Sequence, residues 1–312
     1  MNIKSKLSGV VLLLFVTVFS TIAAQDTKSL EGTWDMVIFQ EGKELPSWLE
    51  IKHSGVNTLV GRFVYAFGSA RPISEVKLND ETFRFSIPRQ WEPQGQDMEF
   101  EGMRDGDGLK GTMVYTDGKK YDWTATRAPK LIYVEDPKWG EPIALFNGSD
   151  LTGWKALGEN QWIVEDGVLK SPKSGANLVS EKEFKDFKVH VEFQVPEGSN
   201  SGFYLRGRYE VQITDDFGKD PSSVLFGGVY GFLIPNEMAA KPAGEWQFYD
   251  ITLIGRRVTV VANGQTIINE QNIPGITGGA LDSKEGEPGP FLIQGDHGPV
   301  SFRAITVIPR VD

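Results

Sequence analysis

Short segments of alternating hydrophobic and polar residues recur along the first half of the chain. Six such segments predict strands, at residues 33–39, 58–67, 82–87, 98–102, 111–115 and 121–125. The turns between them are rich in residues that tolerate a positive φ, as in Asp105-Gly106-Asp107-Gly108 and Asp117-Gly118. A series of short strands joined by tight turns is typical of an antiparallel sandwich or barrel.

The second half of the chain continues the pattern. Residues 188–195 alternate strictly, with valine and phenylalanine on one face and His190, Glu192 and Gln194 on the other. Further strands are predicted at 203–213, 249–255, 257–262 and 265–268, and Asn263-Gly264 is a strong hairpin signal between the last two. Helical periodicity is almost absent, so the sequence predicts an all-β protein.

A chain of 312 residues is longer than one small domain needs, and two domains are expected. We predict a small antiparallel β-barrel over residues 30–130 and a second β domain over residues 144–312. Residues 131–143 contain Pro137 and Pro142 and are predicted to connect them.

Residues 1–24 have the order of a secretory signal peptide. Lys4 and Lys6 precede an apolar run at residues 10–19, and small residues follow up to Ala24. The run is shorter than the ~20 residues that span a bilayer. We therefore expect cleavage after Ala24, no membrane insertion after signal removal, and a periplasmic or secreted protein.

Composition excludes several function classes. The 42 Asp and Glu residues outnumber the 32 Lys and Arg residues, which gives a net charge of -10. Such a chain has no basic field for phosphate backbones, so no nucleic-acid partner is expected. The absence of cysteine excludes disulfides, thiol nucleophiles and cysteine-bound zinc.

One group of candidate site residues lies on the predicted strands of the second domain. If the strand at 203–213 runs unbroken through Gly207, then Arg206, Glu210 and Gln212 share one face. Glu192 on an adjacent strand would extend them into a hydrogen-bonding surface suited to a sugar. The alternative is an ordinary solvated sheet face.

A second group follows the apolar strand predicted near residue 293. Gln294, Asp296 and His297 lie in a loop at the end of this strand, where binding and catalytic residues are often found. Asp296 beside His297 would raise the basicity of the imidazole. The alternative is a histidine that serves only the structure of a glycine-rich turn.

Several motifs occur in order: residues 144–154 (ALFNGSDLTGW), 200–207 (NSGFYLRG), 209–212 (YEVQ), 244–246 (GEW) and 294–298 (QGDHG). Together they resemble the 3-keto-disaccharide hydrolase family over about residues 140–309. One departure is Gly295, since the family often has Gln directly before Asp-His-Gly. The resemblance implies a concanavalin A-like jelly-roll β-sandwich. It also implies activity on glycosides or disaccharides that carry a ketone at carbon 3.

The first domain carries a shorter resemblance. Gly32-Thr33-Trp34 opens its first strand and Arg127 follows its last strand. This pairing is similar to the Trp and Arg that close the end of lipocalin-like barrels. An arginine over the indole would make a cation–π lid on a small barrel. The alternative is that the two residues are unrelated surface groups.

The family resemblance implies roles for the candidate residues. A ketone at carbon 3 acidifies the proton on carbon 2, so a base can remove it, the group at carbon 1 can leave by elimination, and water can add back. We assign the base and the acid to Glu210 and His297 in either order, and we assign to Arg206 the clamp on the enolate oxygen or on a hydroxyl group. The predicted sugar-contacting residues are Glu192, Asn200, Tyr204, Gln212, Asp215, Gln294 and Asp296.

Three further interpretations stay open. A divalent metal ion would find oxygen and imidazole ligands at Glu192, Glu210 or His297, although no spacing requires one. A lectin-like protein would bind sugars through the same side chains without chemistry. A retaining glycosidase needs two carboxylates about 5–5.5 Å apart. Gln212 stands where the second acid would be expected, which argues against this last interpretation.

Overall fold

The first domain is a closed antiparallel barrel. The computed structural model describes residues 30–79, 81–90, 92, 95–132 and 136–312, so the predicted signal peptide lies outside the described residues. Eight strands follow one another around the barrel. They are β1 (Gly32–Gln40), β2 (Lys43–Ser54), β3 (Thr58–Val64), β4 (Arg71–Asn79), β5 (Thr82–Ile87), β6 (Met98–Asp105), β7 (Gly108–Val114) and β8 (Lys120–Arg127).

The barrel has two strands that the sequence pattern did not predict. β2 contains Pro46 and β4 contains Pro72, and proline weakens a strand pattern because it cannot donate to the ladder. The predicted lid is confirmed, since Arg127 pairs with Trp34 across β8 and β1 and its Cζ lies 3.7 Å from the indole centroid. A Cβ on Gly32 would lie 2.5 Å from the Arg127 Nη1, so glycine gives the guanidinium its space.

The second domain is a sandwich of two antiparallel sheets, as the resemblance implied. Its strands are β9 (Ile143–Ala144), β10 (Trp154–Ala156), β11 (Ile163–Glu165), β12 (Val168–Ser171), β13 (Leu178–Phe184), β14 (Phe187–Gln194), β15 (Asn200–Leu205), β16 (Tyr209–Thr214), β17 (Gln247–Ile254), β18 (Arg257–Ala262), β19 (Gln265–Asn272), β20 (Gly289–Ile293) and β21 (Val300–Pro309). The first sheet has the strand order β10-β13-β20-β15-β16, and the second has β11-β12-β21-β14-β17-β18-β19 with β9 paired to β21.

β14 and β15 follow one another in the chain but lie in different sheets of the sandwich. β14 pairs with β17 and β21, whereas β15 pairs with β16 and β20. The apolar residues of β14 and of β15–β16 meet in one core between the sheets. This arrangement is the jelly-roll sandwich. Its consequence is that the polar faces of β14 and β15 lie on opposite sides of the domain.

The barrel and the sandwich belong to one compact unit, Gly32–Asp312. Trp48 of β2 packs edge-on against Phe232 of the sandwich with 5.3 Å between ring centroids. The connection between β19 and β20 also lies against the barrel: the Gly279 amide donates to the Ala66 carbonyl (2.8 Å) and the Ser283 hydroxyl to the Met36 carbonyl (2.7 Å). Within the described ranges, no helix is both long and apolar enough to cross a bilayer.

Candidate active site

A cavity of about 360 Å³ lies between the five-stranded sheet and the barrel. This volume is in the range of pockets that bind small molecules. The sandwich supplies what we call the polar wall: Asn177, Asn200, Tyr204, Glu210, Gln212, Tyr230, Gln294, Asp296 and His297. The barrel supplies what we call the apolar wall: Leu45, Pro46, Ala66, Phe67 and Gly68. The backbone of residues 278–280 joins the two walls.

A hairpin builds the centre of the polar wall. In β15 and β16, Tyr204 pairs with Glu210 and Gly202 with Gln212. Cross-strand partners lie on the same face of a sheet, so these residues all project away from the core. The alternate residues of the two strands, such as Phe203 and Val211, fill the core instead. The hairpin therefore presents a carboxyl and a carboxamide to the cavity from a rigid base.

Glu210 is the most strongly perturbed acid of the polar wall. The residue is 3% exposed, and burial raises the pKa of its carboxyl from 4.5 to about 8. Hydrogen bonding with the Tyr204 hydroxyl and the positive charge of His297 act in the opposite direction and keep this pKa from rising further. Its backbone is held on both sides, by Thr277 Oγ1 and by the Tyr230 amide (3.0 Å each). A buried carboxyl with this pKa is a stronger base than an exposed one.

His297 lies at the rim of the cavity and its side chain is half exposed. Its Nδ1 lies 2.7 Å from Asp296 Oδ1, and this hydrogen bond is the main reason why the pKa of the imidazole is raised. Gly295 holds the loop close to the sandwich, because a Cβ there would lie 2.3 Å from the Ala176 carbonyl oxygen. The residue that departs from the family pattern therefore has a packing role.

Three carboxamides of the polar wall have a buried oxygen without a partner. The side-chain oxygens of Asn200, Gln212 and Gln294 accept no hydrogen bond from any described residue. Buried polar atoms are almost always satisfied, so an unsatisfied set at one cavity points to groups that a ligand completes. A carboxamide offers either its oxygen or its NH₂ group. Three of them can therefore hold several hydroxyl or carbonyl groups of a sugar.

The family of the chain follows from its sequence. Residues 141–308, more than half of the chain, match the family described as the 3-keto-alpha-glucoside-1,2-lyase-like domain. The chain belongs to this family. Its 3-keto-alpha-glucoside-1,2-lyase-like domain also contains the whole polar wall, while the apolar wall lies outside the match.

Individual relatives cover the chain less fully. A 3-keto-disaccharide hydrolase of Bacteroides thetaiotaomicron is 34% identical over 92 residues, which are 25% of this chain and 31% of that protein. The match thus spans about a third of the relative. Among solved structures, a protein of Parabacteroides distasonis provisionally classed as a glycosyl hydrolase is 30% identical, with a TM-score of 0.46 over 56% of this chain and 93% of that one. SCLam, a non-specific endo-beta-1,3(4)-glucanase of family GH16, is 11% identical, with a TM-score of 0.38 over 57% of this chain and 93% of that one.

The structure places Arg206 outside the cavity of the 3-keto-alpha-glucoside-1,2-lyase-like domain. The predicted strand at 203–213 is interrupted, and Arg206 and Gly207 form a tight turn with φ values of 55° and 65°. The guanidinium is 1% exposed and donates to the Tyr209 hydroxyl (2.9 Å) and to the Gly255 carbonyl (2.7 Å). The prediction of a single row containing Arg206, Glu210 and Gln212 was therefore wrong for Arg206.

Glu192 and Asp215 also lie away from the cavity. Glu192 is on the outer face of the other sheet, between His190 and Arg303, because β14 is not a neighbour of β15. Asp215 follows β16, and its carboxylate accepts from the Gly198 amide at 3.0 Å. In the described part of the chain, no three His, Asp or Glu side chains lie close enough to hold a metal ion together. The three metal ligands considered from the sequence are thus not brought to one place.

The remaining predicted residues do line the cavity: Glu210, His297, Asn200, Tyr204, Gln212, Gln294 and Asp296. Sequence analysis missed Asn177, whose Oδ1 accepts from the Gly295 amide (2.8 Å), and Tyr230, which pairs with the backbone of Glu210. Both lie between strands, where no periodicity indicates the direction of a side chain. The apolar wall was missed because it comes from the other domain.

Proposed function

We propose that the protein is a carbohydrate-active enzyme that cleaves 3-keto-glycosides, including 3-keto-disaccharides, by elimination followed by hydration. The observation that carries the proposal is the buried Glu210 carboxyl, with its raised pKa, in a cavity lined by carboxamides whose oxygens have no partner among the described residues. The names of the family and of the Bacteroides relative give the same substrate class. An ordinary glycoside has no acidic proton on carbon 2 and would not use such a base.

Glu210 is the base in this proposal. Its carboxylate removes the proton from carbon 2, and the electron pair moves towards the ketone to form an enolate at the oxygen of carbon 3. The carboxamides of Asn200, Gln212 and Gln294 take the place first assigned to Arg206, because their NH₂ groups can donate to this oxygen. Burial of the carboxyl strengthens the base and excludes bulk water from the enolate.

His297 is the acid. As the enolate collapses, the double bond between carbons 1 and 2 forms and the bond from carbon 1 to the leaving oxygen breaks. Protonated His297, oriented by Asp296 at the open rim, gives its proton to that oxygen. Water then gives a proton to the neutral His297 and adds its hydroxyl to carbon 1, while carbon 2 recovers a proton from Glu210, so both groups return to their starting states. The net reaction is hydrolysis, and an enzyme that releases the intermediate before water adds is a lyase.

The test is incubation of the purified protein with a 3-keto-glucoside and with its unoxidised parent, each with and without a chelator. We expect release of the leaving group from the 3-keto-glucoside alone. Glu210→Gln should lower the rate by about 10²–10⁴, which is the usual contribution of one general acid–base group. A chelator-sensitive rate would instead require a metal ion in the mechanism.

The lectin-like interpretation has a distinct outcome in the same experiment. A non-catalytic protein would bind the 3-keto-glucoside in calorimetry, release nothing, and bind equally well after Glu210→Gln. His53→Gln is a matched control, because His53 lies on β2 and does not line the cavity. This variant should cleave the 3-keto-glucoside like the wild-type protein.

We also propose that the chain is exported by the signal peptide predicted at residues 1–24. The charged start, the apolar run and the small residues before Ala24 support this proposal. The protein recovered from a cell-envelope or medium fraction should begin at Gln25 in mass spectrometry. Recovery of the uncleaved chain from the cytoplasm would contradict it.

A further inference from the structure

The apolar wall of the cavity carries an exposed aromatic ring. Phe67, in the connection between β3 and β4, is 63% exposed although it lines the cavity. Leu45 and Pro46 of β2 continue the same surface and are half-buried. A large apolar side chain left open beside a row of polar groups is typical of a ligand-binding surface. The two walls thus present different chemistry to the two ends of one ligand.

Close backbone contacts fix the position of Phe67. A Cβ on Gly278 would lie 2.3 Å from the Gly68 carbonyl oxygen, and a Cβ on Gly231 would lie 2.7 Å from the Ala70 amide nitrogen. The Gly279 amide donates to the Ala66 carbonyl at 2.8 Å. Glycines of the sandwich therefore let the barrel segment approach until backbones touch, and Phe67 is held between two such contacts.

The same contacts join the apolar wall to Glu210. A Cβ on Gly279 would lie 2.4 Å from the Tyr204 hydroxyl, and this hydroxyl lies within hydrogen-bond distance of the Gly278 carbonyl (3.0 Å). Tyr204 is the cross-strand partner of Glu210. The segment that carries Phe67 is thus separated from the reacting carboxyl by only one glycine and one tyrosine. When one ring of a ligand is bound at Glu210, the group attached to that ring contacts the apolar wall.

We propose that the apolar wall is the leaving-group subsite, with Phe67 as the face on which a cyclic leaving group stacks. The inference rests on the proposed function, in which the polar wall binds the 3-keto ring. The chemistry that fits is a six-membered ring with a flat apolar face, which an aromatic aglycone and a second sugar ring both offer. The barrel is then part of the substrate site and selects glycosides whose leaving group is a ring.

The test compares Phe67→Ala with the wild-type protein on three 3-keto-glucosides of one anomer. Their leaving groups are methanol, 4-nitrophenol and glucose. The ratio of variant to wild-type kcat/KM for each substrate removes the intrinsic reactivity of the leaving group. We expect this ratio to be about tenfold lower for the two cyclic leaving groups than for methanol, the loss expected for one ring contact. Phe67→Trp should restore it, since it keeps an aromatic face.

Phe39→Ala is the matched control. Phe39 is a second exposed phenylalanine of the barrel, 41% exposed on β1, and it does not line the cavity. Its removal should leave all three rates unchanged. A selective loss with only one cyclic substrate supports the subsite and identifies its ring as aromatic or sugar. An equal loss on all three substrates, or no loss on any, overturns the proposal.

Failure of the proposed function has a separate signature. If the wild-type protein cleaves none of the three compounds, the reaction assigned to Glu210 is wrong. Calorimetry with the same compounds then still tests the subsite, because stacking affects binding as well as turnover. A Kd that rises about tenfold in Phe67→Ala for the cyclic compounds relative to the methyl compound supports the subsite. Equal changes in Kd, or no binding of any compound, overturn it.

Discussion

The Oε1 atom of Glu210 lies 2.1 Å from the point that a Cβ on Gly202 would occupy. Gly202 is diagonal to Glu210 across the β15–β16 pair, and its direct partner is Gln212. The φ angle of Gly202 is not in the left-handed region, so its backbone does not require glycine. Glycine is required at this position for lack of space, because the carboxyl of Glu210 occupies the place of a side chain.

Gly202→Ala should therefore disable the site while the fold survives. A methyl group at this position forces the Glu210 carboxyl out of place, and a misplacement of about 1 Å can cost 10²-fold in rate. We expect kcat to fall by about that factor, with a loss of about 1–3 kcal/mol in the free energy of unfolding from overpacking. Turnover of the 3-keto-glucoside and chemical denaturation measure the two effects.

Gly102→Ala is the matched control for overpacking. A Cβ on Gly102 would lie 2.5 Å from the Phe83 ring, inside the barrel and away from the cavity. This variant should lose a similar amount of stability but keep the kcat of its folded molecules. If kcat falls equally in both variants, the loss in Gly202→Ala does not come from displacement of the Glu210 carboxyl.

The charge of His297 should set the pH dependence of the rate. The positive imidazolium lowers the pKa of Glu210, which burial has raised to about 8. If Glu210 is the base, the rate rises with pH as its carboxyl ionises. In His297→Gln the neighbouring charge is absent, so the pKa of Glu210 rises and this limb of the profile moves to higher pH.

A substrate with a good leaving group, such as 4-nitrophenol, keeps the His297→Gln rate measurable because it needs little help from the acid. The variant should also lose more activity on the methyl compound than on the nitrophenyl compound. If the rising part of the pH–rate profile moved to lower pH in His297→Gln, the ionisation that controls the rate would belong to a group other than Glu210. His53→Gln should show no movement of the limb.

Even-numbered residues pair with even-numbered residues across the β15–β16 hairpin, and this register explains how much of the site the sequence could predict. Glu210 and Gln212 were predicted to share one face on the assumption of an unbroken strand, and that assumption was wrong. In the hairpin, residue 204 pairs with residue 210 and residue 202 with residue 212, so even-numbered residues still share a face and the prediction held for Glu210 and Gln212. It failed for Arg206, because an arginine with a positive φ is an uncommon turn residue and gives no signal.

The alternating pattern of β14 could not show which of the two sheets the strand belongs to. The alternating pattern correctly separated the buried valines from Glu192, but the same pattern fits a strand in either sheet. The register shows that β14 and β15 are not paired, which moves Glu192 to the far side of the core. The ordered motifs predicted the fold, whereas the barrel's share of the cavity depends on contacts between domains that no local pattern encodes.

Glu210 should also make the folded protein less stable at high pH. Burial raises its pKa from 4.5 to about 8, so between these values the folded state holds a proton that the unfolded state has lost. The free energy of unfolding therefore falls as pH rises through this window and levels off above it. Glu210→Gln has no proton to lose and should be more stable than the wild-type protein by a few kcal/mol near about pH 9.

Denaturation of both proteins across the pH range measures this effect without any substrate. The two proteins should differ least near about pH 4, where Glu210 is protonated in both states. If the free energy of unfolding changed with pH in the same way for both proteins, the Glu210 carboxyl would not be buried away from water. The expected combination, a more stable protein with lower activity, is typical of catalytic groups that are buried at a cost in stability.

Arg206 should act on stability and leave the chemistry unaffected. Its guanidinium lies over the Tyr209 ring, with Cζ 5.0 Å from the centroid, and bonds to Gly255 in the turn between β17 and β18. It therefore connects the two sheets at one end of the core. Arg206→Ala leaves a void and an unpaired carbonyl, and we expect a loss of about 2–4 kcal/mol in the free energy of unfolding.

Arg206→Met separates packing from charge in this prediction. It keeps most of the side-chain volume and should recover part of the stability that Arg206→Ala loses, because a buried charge often contributes little beyond its packing. Both variants should keep the KM and the pH profile of the wild-type protein under conditions where they are folded. A raised KM, or a shifted pH profile in a stably folded variant, would instead mean that the guanidinium acts on the cavity.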